Sequence, residues 1–302
     1  MDLSRFGAAP PWSLGVEEEL MLVDAETLEP ARDGFSRVFV DATDRIKPEL
    51  FESFVEITTP VVETAEEAEA ELRTLRGEVA GRADEHGLAV LATGSHPTAC
   101  GHPPIVPVDR YQNLKAKLGE RLLLQRVCGL HVHVAVPDPD TCLRAFEGVL
   151  PRLPGLLAES ANSPFWDGAE SGWRSIRSQI LLQMPTGGTP PVLRSWEDWR
   201  AASREDSTRR HWDAWPRPEY GTLEVRVMDQ PTSLRRTGEL AAEVQRLVRE
   251  AATEADGRPA DREEYARARE RAARDGGGPE AERQLELGPL EALREIAALT
   301  VG

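Results

Sequence analysis

Three short stretches of this chain set acids, imidazoles and a guanidinium at alternate positions. They are Gly15-Val16-Glu17-Glu18-Glu19-Leu20, Gly129-Leu130-His131-Val132-His133-Val134 and Thr222-Leu223-Glu224-Val225-Arg226-Val227. In an extended chain, residues two apart project to the same side. Glu17 and Glu19 therefore share one face while Glu18 takes the other. His131 and His133 share a face opposite Leu130, Val132 and Val134, and Glu224 lies beside Arg226 with Leu223, Val225 and Val227 behind them. A fourth stretch adds the carboxyls of Glu49, Glu52 and Glu56. If these segments belong to one sheet, their polar residues converge, and so many carboxylates need cations between them. Oxygen ligands with an occasional imidazole suit magnesium or manganese, which typically bridge enzyme carboxylates to substrate phosphates. The pattern predicts a metal-nucleotide site. Each part alone has a plainer reading: a solvated strand edge, surface histidines, or an exposed ion pair worth under about 1 kcal/mol. Their joint occurrence is what points to chemistry.

Periodicity locates the elements that must carry these residues. Strands are expected over 14–23, 51–58, 88–93, 127–136 and 222–229. Thr64-Ala65-Glu66-Glu67 reads as a capping box. Behind it Ala68, Leu72, Leu75, Val79 and Ala83 recur at helical spacing as far as about His86. A helix over 141–159 should be kinked or divided by Pro151 and Pro154, and Leu240, Val244, Leu247 and Ala251 stripe another. Strands that alternate polar with apolar imply a sheet packed on helices on one face and open on the other. The expected class is α+β, with a mainly antiparallel sheet. Residues 256–288 are crowded with Arg, Glu, Ala and Gly and include Gly276-Gly277-Gly278-Pro279. A solvated helix and a flexible stretch are expected there, without chemistry. The expected division is a catalytic domain over 1–255 and a variable, partly flexible helical tail over 256–302.

Bulk properties narrow the function. The net charge of -16 over 302 residues argues against a nucleic-acid partner, which would call for a basic stripe. Residues 1–15 lack a cationic segment followed by an apolar one, and no apolar run approaches bilayer length, so a soluble, cytoplasmic protein without a membrane partner is expected. Cys100, Cys128 and Cys142 fit neither a CxxC pair nor a zinc knuckle and read as reduced thiols, Cys128 as a small core residue. No GxSxG elbow, Walker A loop or GxGxxG turn is present.

Taken together, the stretches resemble the motif set of the bacterial carboxylate-amine ligases of the glutamate-cysteine ligase type 2 family, whose catalytic domain is related to glutamine synthetase. Besides the blocks above, the resemblance is carried by Gly94-Ser95-His96-Pro97, Ala161-Asn162-Ser163-Pro164-Phe165-Trp166 and Ser175-Ile176-Arg177-Ser178-Gln179, in order across residues 12–250. It is not carried beyond Glu250, and the stretch 191–215 is shorter than in typical members. The resemblance implies metal ligands at Glu17, Glu19, Glu49, Glu56, His131 and Glu224. It implies guanidinium groups of Arg177 and Arg226 facing the transferred phosphoryl of ATP, with Arg177, Arg226 and Glu56 in catalytic roles. His133, one alternation from His131, touches either substrate or metal. The implied reaction uses ATP and Mg2+ or Mn2+ to convert a carboxylate, by default glutamate, into an acyl phosphate that an amine such as cysteine then attacks. A homodimer is implied by resemblance alone. Two other readings stay open: a small-molecule kinase, and a non-catalytic ATP or metabolite sensor. Trp166, Trp173, Trp196, Trp199, Trp212 and Trp215 either line a substrate pocket or pack the loops over the sheet.

Overall fold

A computed structural model of the chain describes residues 2–39, 43–205, 211–254 and 258–301. The strand expected first is present as β1 (Leu14–Asp24), followed by a short helix α1 (Gly34–Val38), β2 (Ile46–Pro48) and β3 (Phe54–Thr58). The helix α2 (Ala65–Asp84) opens on the capping box: Thr64 Oγ1 accepts from Glu67 N–H, and the Glu67 side chain returns to the Thr64 backbone. β4 (Leu88–Leu91), α3 (Asp109–Leu118) and β5 (Gly129–Ala135) come next. The prolines divide the following helical region into α4 (Pro139–Val149), a 3-10 turn (Leu150–Arg152) and α5 (Leu153–Ser160). β6 (Phe165–Trp166) pairs with β7 (Ala169–Glu170), and beyond α6 (Ile176–Leu181) β8 (Gly187–Gly188) pairs with β9 (His211–Trp212). α7 (Trp196–Glu205) lies between the last two strands, and β10 (Ala214–Arg217), β11 (Thr222–Asp229) and α8 (Leu234–Glu254) complete the central body.

Seven strands form one sheet in the order β10-β11-β5-β1-β3-β2, with β4 pairing the end of β1, and all its pairings are antiparallel. One face carries Val16, Leu20, Leu22, Val55, Ile57, Leu130, Val132, Val134, Leu223 and Val225. It packs on α2, α4 and α8 through Leu72, Val79, Phe146, Val149, Val244 and Val248. The other face is covered only in part, where Met21, Phe51 and Phe54 meet Tyr111 and Leu114 of α3. The α+β class and the half-open antiparallel sheet are as the alternation implied.

Residues beyond 257 differ from their compositional reading. They form α9 (Arg262–Asp275), α10 (Pro279–Leu287) and α11 (Pro289–Leu299), and each of these helices is seated on the body along one face while the other stays exposed. Tyr265, Arg269 and Ala273 of α9, Gln284 of α10 and Leu293 and Ile296 of α11 are buried. A Cβ on Gly278 would lie 2.7 Å from the Ala161 carbonyl oxygen, so the small residues permit close approach. The poverty of apolar residues is offset by buried polar contacts, such as Arg269 to Asp213 at 2.6 Å.

The tryptophans chiefly pack. Trp196, Trp199, Trp215 and Trp212 form a chain of ring contacts, 5.9, 6.0 and 4.3 Å between successive centroids. Arg126 lies over Trp166 and Arg274 over Trp173. Among the six, Trp215 also borders the cavity described next. All three cysteines are free thiols, with Cys128 and Cys142 buried and Cys100 exposed. No helix among the described residues is long and apolar enough to cross a membrane.

Candidate active site

Register on the open face decides which polar residues meet. Glu17 of β1 lies opposite His131 of β5, and Glu19 lies opposite Glu56 of β3. Glu224 of β11 faces His133 of β5, while Lys47 of β2 faces Glu56. Five adjacent strands thus place their polar side chains in one diagonal row across the sheet.

Two groups of possible ligands result, each with donor atoms within 4.8 Å of one another: Glu17, His133 and Glu224, and Glu19, Glu49 and Glu56. All five acids expected as ligands are brought together. The imidazole completing the first group is His133 rather than His131. His133 Nδ1 pairs with Thr222 Oγ1 at 3.0 Å, and its buried Nε2 makes no hydrogen bond, lying 3.7 Å from Glu17 and 3.9 Å from Glu224. A ring nitrogen fixed from behind and left open toward two carboxylates is how a histidine is presented to a metal. The hard oxygen donors fit magnesium or manganese. His131 sits between the groups, with Nδ1 3.3 Å from Glu17 and Nε2 3.4 Å from Arg226 Nη2.

The electrostatics separate the two groups. Burial opposes ionisation of Glu17, but the hydrogen bond to His131 and the charge of the imidazoles outweigh it and hold the carboxyl down at about 2. Burial likewise opposes the charge on Glu224, yet Arg217 and Arg226 hold it ionised, well below the usual carboxylate range. In the other group, burial pushes Glu56 up to about 8, and Glu17 and Glu49 reinforce the shift. Three carboxylates confined together retain a proton unless a cation takes its place.

A cavity of about 470 Å³ opens over the row, bordered by Glu17, Glu49, Glu56, His131, Glu224 and Arg226. Sequence reasoning missed several of its other residues. Arg217 donates to Glu224 at 2.7 Å, and Tyr220, 58% exposed, stands at the rim with its ring edge-on to His133. Lys47 lies 3.5 Å from Glu56. The Pro and Gly of Arg217-Pro218-Glu219-Tyr220-Gly221 were a signal for the β10–β11 hairpin, and folding Trp215 onto Glu224 brings Arg217 to the same face.

Arg177 does not stand where the resemblance implied. It is buried on α6, outside the cavity wall, and donates to the carbonyls of Arg226 and Val227 at 3.2 and 3.4 Å. Glu52 is also diverted, since its carboxylate accepts from the backbone and hydroxyl of Ser36 in α1. Glu18, on the helical face, is 0% exposed and makes a bidentate pair with Arg76 of α2 at 2.6 and 2.7 Å.

The family described as Glutamate-cysteine ligase family 2 (GCS2) matches residues 13–295. The chain belongs to this family. The match runs well past Glu250, where the motif resemblance ended, and takes in α9, α10 and most of α11. Among curated relatives, "Putative glutamate--cysteine ligase 2" of Roseiflexus castenholzii is 35% identical over 251 residues, 79% of this chain and 66% of that protein. "Putative glutamate--cysteine ligase 2-3" of Rubrobacter xylanophilus is 35% identical over 260 residues, 81% of this chain and 71% of that protein. The chain therefore spans about two thirds of the length of the curated relatives it matches. In fold it is similar to a bifunctional glutathione synthetase from Pasteurella multocida, with a TM-score of 0.63 at 20% identity over 94% of this chain and 45% of that one. It is also similar to a glutamate–cysteine ligase from Francisella tularensis solved in complex with AMP, with a TM-score of 0.61 at 12% identity over 99% of this chain and 82% of that one.

Proposed function

We propose that this member of the glutamate-cysteine ligase family 2 joins a carboxylic acid to an amine at the expense of ATP, through an acyl phosphate. One observation carries the reading: two acids of each ligand group, Glu17 with Glu224 and Glu49 with Glu56, border a single cavity on the open face of the sheet together with the guanidinium groups of Arg217 and Arg226. Magnesium or manganese bound to the two groups would neutralise the triphosphate against this acidic surface. Glu17, Glu224 and His133 would hold one ion, and Glu19, Glu49 and Glu56 another. Arg226, with Arg217 beside it, offers positive charge to the phosphoryl oxygens as negative charge builds on them, which is most of what phosphoryl transfer asks of a protein. The acid's carboxylate displaces ADP from the γ-phosphate, and the amine then attacks the mixed anhydride and expels phosphate. His131, held between Glu17 and Arg226, keeps the two ligand groups and the arginine in register. Glutamate is the default acid and cysteine the default amine, as the names of the relatives suggest, and a reaction that consumes ATP belongs in the cytoplasm.

The test is incubation with ATP, magnesium and pairs of amino acids, following ADP release and product mass. Ligation requires ADP and phosphate to appear only when acid and amine are both present, together with a product lighter than their sum by one water. A stable phosphorylated product would make the chain a small-molecule kinase instead. Tight Mg-ATP binding without turnover over a broad panel would make it a sensor.

A further inference from the structure

The side chain of Arg226 rests on Glu224 at 3.2 Å and His131 at 3.4 Å, both already engaged with neighbouring groups. Its backbone is anchored separately. Arg226 lies in a bulge of β11, where the register against β5 shifts between Val225 and Met228. Bulges commonly re-aim a side chain beside an active site and leave backbone groups to be paired elsewhere. Here the Arg226 N–H donates to the carbonyl of Asp213 at 2.9 Å, and the Arg226 carbonyl accepts from Arg177 Nη2 at 3.2 Å.

Both grips lead to one residue of the tail. The Asp213 carboxylate, 2% exposed, lies outside the cavity lining and accepts from Arg269 Nε at 2.6 Å, Arg269 Nη2 at 3.1 Å and the Tyr265 hydroxyl at 2.6 Å. Arg269 Nη2 also donates to the carbonyl of Ser178 at 3.0 Å, next in sequence to Arg177. Buried ion pairs add little stability over apolar packing of the same shape, but their charge-assisted, bidentate hydrogen bonds fix geometry closely. We infer that Arg269, acting with Tyr265 through Asp213 and Ser178, is a positioning residue that sets the place of Arg226, so that α9 is part of the active-site architecture. This rests on the ligase reading for the role of Arg226, while the geometry it concerns stands apart from that reading.

Three variants of the full chain test it: Arg269→Gln, Arg269→Lys and Tyr265→Phe. Arg269→Gln should lower kcat by roughly tenfold to a hundredfold, the range that a displacement of about 1 Å produces, with the KM for ATP within about twofold. Arg269→Lys should recover part of the loss. Hydrogen exchange at the Arg226 amide should speed up by about tenfold while the amides of β5 keep their protection. Should Arg269→Gln fail to fold, Tyr265→Phe decides, with a several-fold loss of kcat and the same local change in exchange. Unchanged kcat and Arg226 protection in the folded variants would overturn the inference, as would exchange rising equally in β5, the mark of general destabilisation. If the parent chain turns over no substrate pair, the ligase reading fails, and the exchange measurement alone decides the positioning role.

Discussion

Glu56→Gln offers a direct reading of the charge state of the second ligand group. Burial, with Glu17 and Glu49 nearby, raises the Glu56 carboxyl from 4.5 to about 8. Above pH 4.5 the unfolded chain has lost a proton that the native chain still holds, so raising the pH favours unfolding. The contribution is complete below 4.5 and is lost as the pH climbs through about 8. One proton gives a slope of at most about 1.4 kcal/mol per pH unit, hence roughly 2 kcal/mol between pH 6 and 7.5. An unfolding entropy of ~2.1 cal/mol/K per residue over 302 residues converts this to about 3 °C in Tm. The assay is thermal unfolding of the parent and of Glu56→Gln across pH 5 to 8 with a chelator present. The parent should lose Tm relative to the variant as pH rises, and saturating magnesium should erase the difference because a cation replaces the proton. A pH-independent difference under chelation would refute the claim that this group keeps a proton. The charge of Glu49 adds to the shift on Glu56, so Glu49→Gln should flatten the slope as well.

Glu224→Gln should abolish metal-dependent ADP formation, because it removes a proposed ligand and the acceptor of both Arg217 and Arg226; normal turnover in a steady-state assay would exclude Glu224 as a ligand. Arg226→Ala should reduce kcat by about a hundredfold or more, as loss of a charge donor to the transition state commonly does, and a change confined to KM would assign it to ground-state binding. Arg76→Met should lower stability by roughly 3–5 kcal/mol in denaturant titration, because Glu18 would be left charged and buried, and an effect below about 1 kcal/mol would mean that the pair holds little.

Alternation made the membership of the open face legible, since it depends only on neighbours in sequence. Glu17 with Glu19, and His131 with His133, needed nothing more. Which histidine joins a ligand group depends on cross-strand register, because His133 lies opposite Glu224 and diagonal to Glu17, and no single strand contains that information. The bulge at Arg226 was hidden for the same reason: β11 reads as unbroken alternation. Arg177 was misplaced because a helical residue's target depends on tertiary packing. The tail was read as solvated because composition measures apolar content, whereas α9 is anchored by a buried guanidinium, carboxylate and phenol.

Three consecutive glutamates show how the fold protects its own register. A slip of one residue in β1 would turn Glu17 and Glu19 into the helical layer and Glu18 into the cavity, since strand side chains alternate strictly. Hydrophobic pattern opposes this through Val16, Leu20 and Leu22, and Glu18 opposes it electrostatically. Its carboxylate is gripped by Arg76 of α2, by Thr237 of α8 at 2.7 Å and by Gln230 at 2.9 Å. Arg76 in turn donates to the carbonyls of Pro231, Thr232 and Thr300. The acid that takes no part in the cavity thus ties β1 to two core helices and to the segment after β11, the strand bearing Glu224 and Arg226. The proposed ligands on separate strands stay aligned across the sheet because the buried face fixes the strand between them.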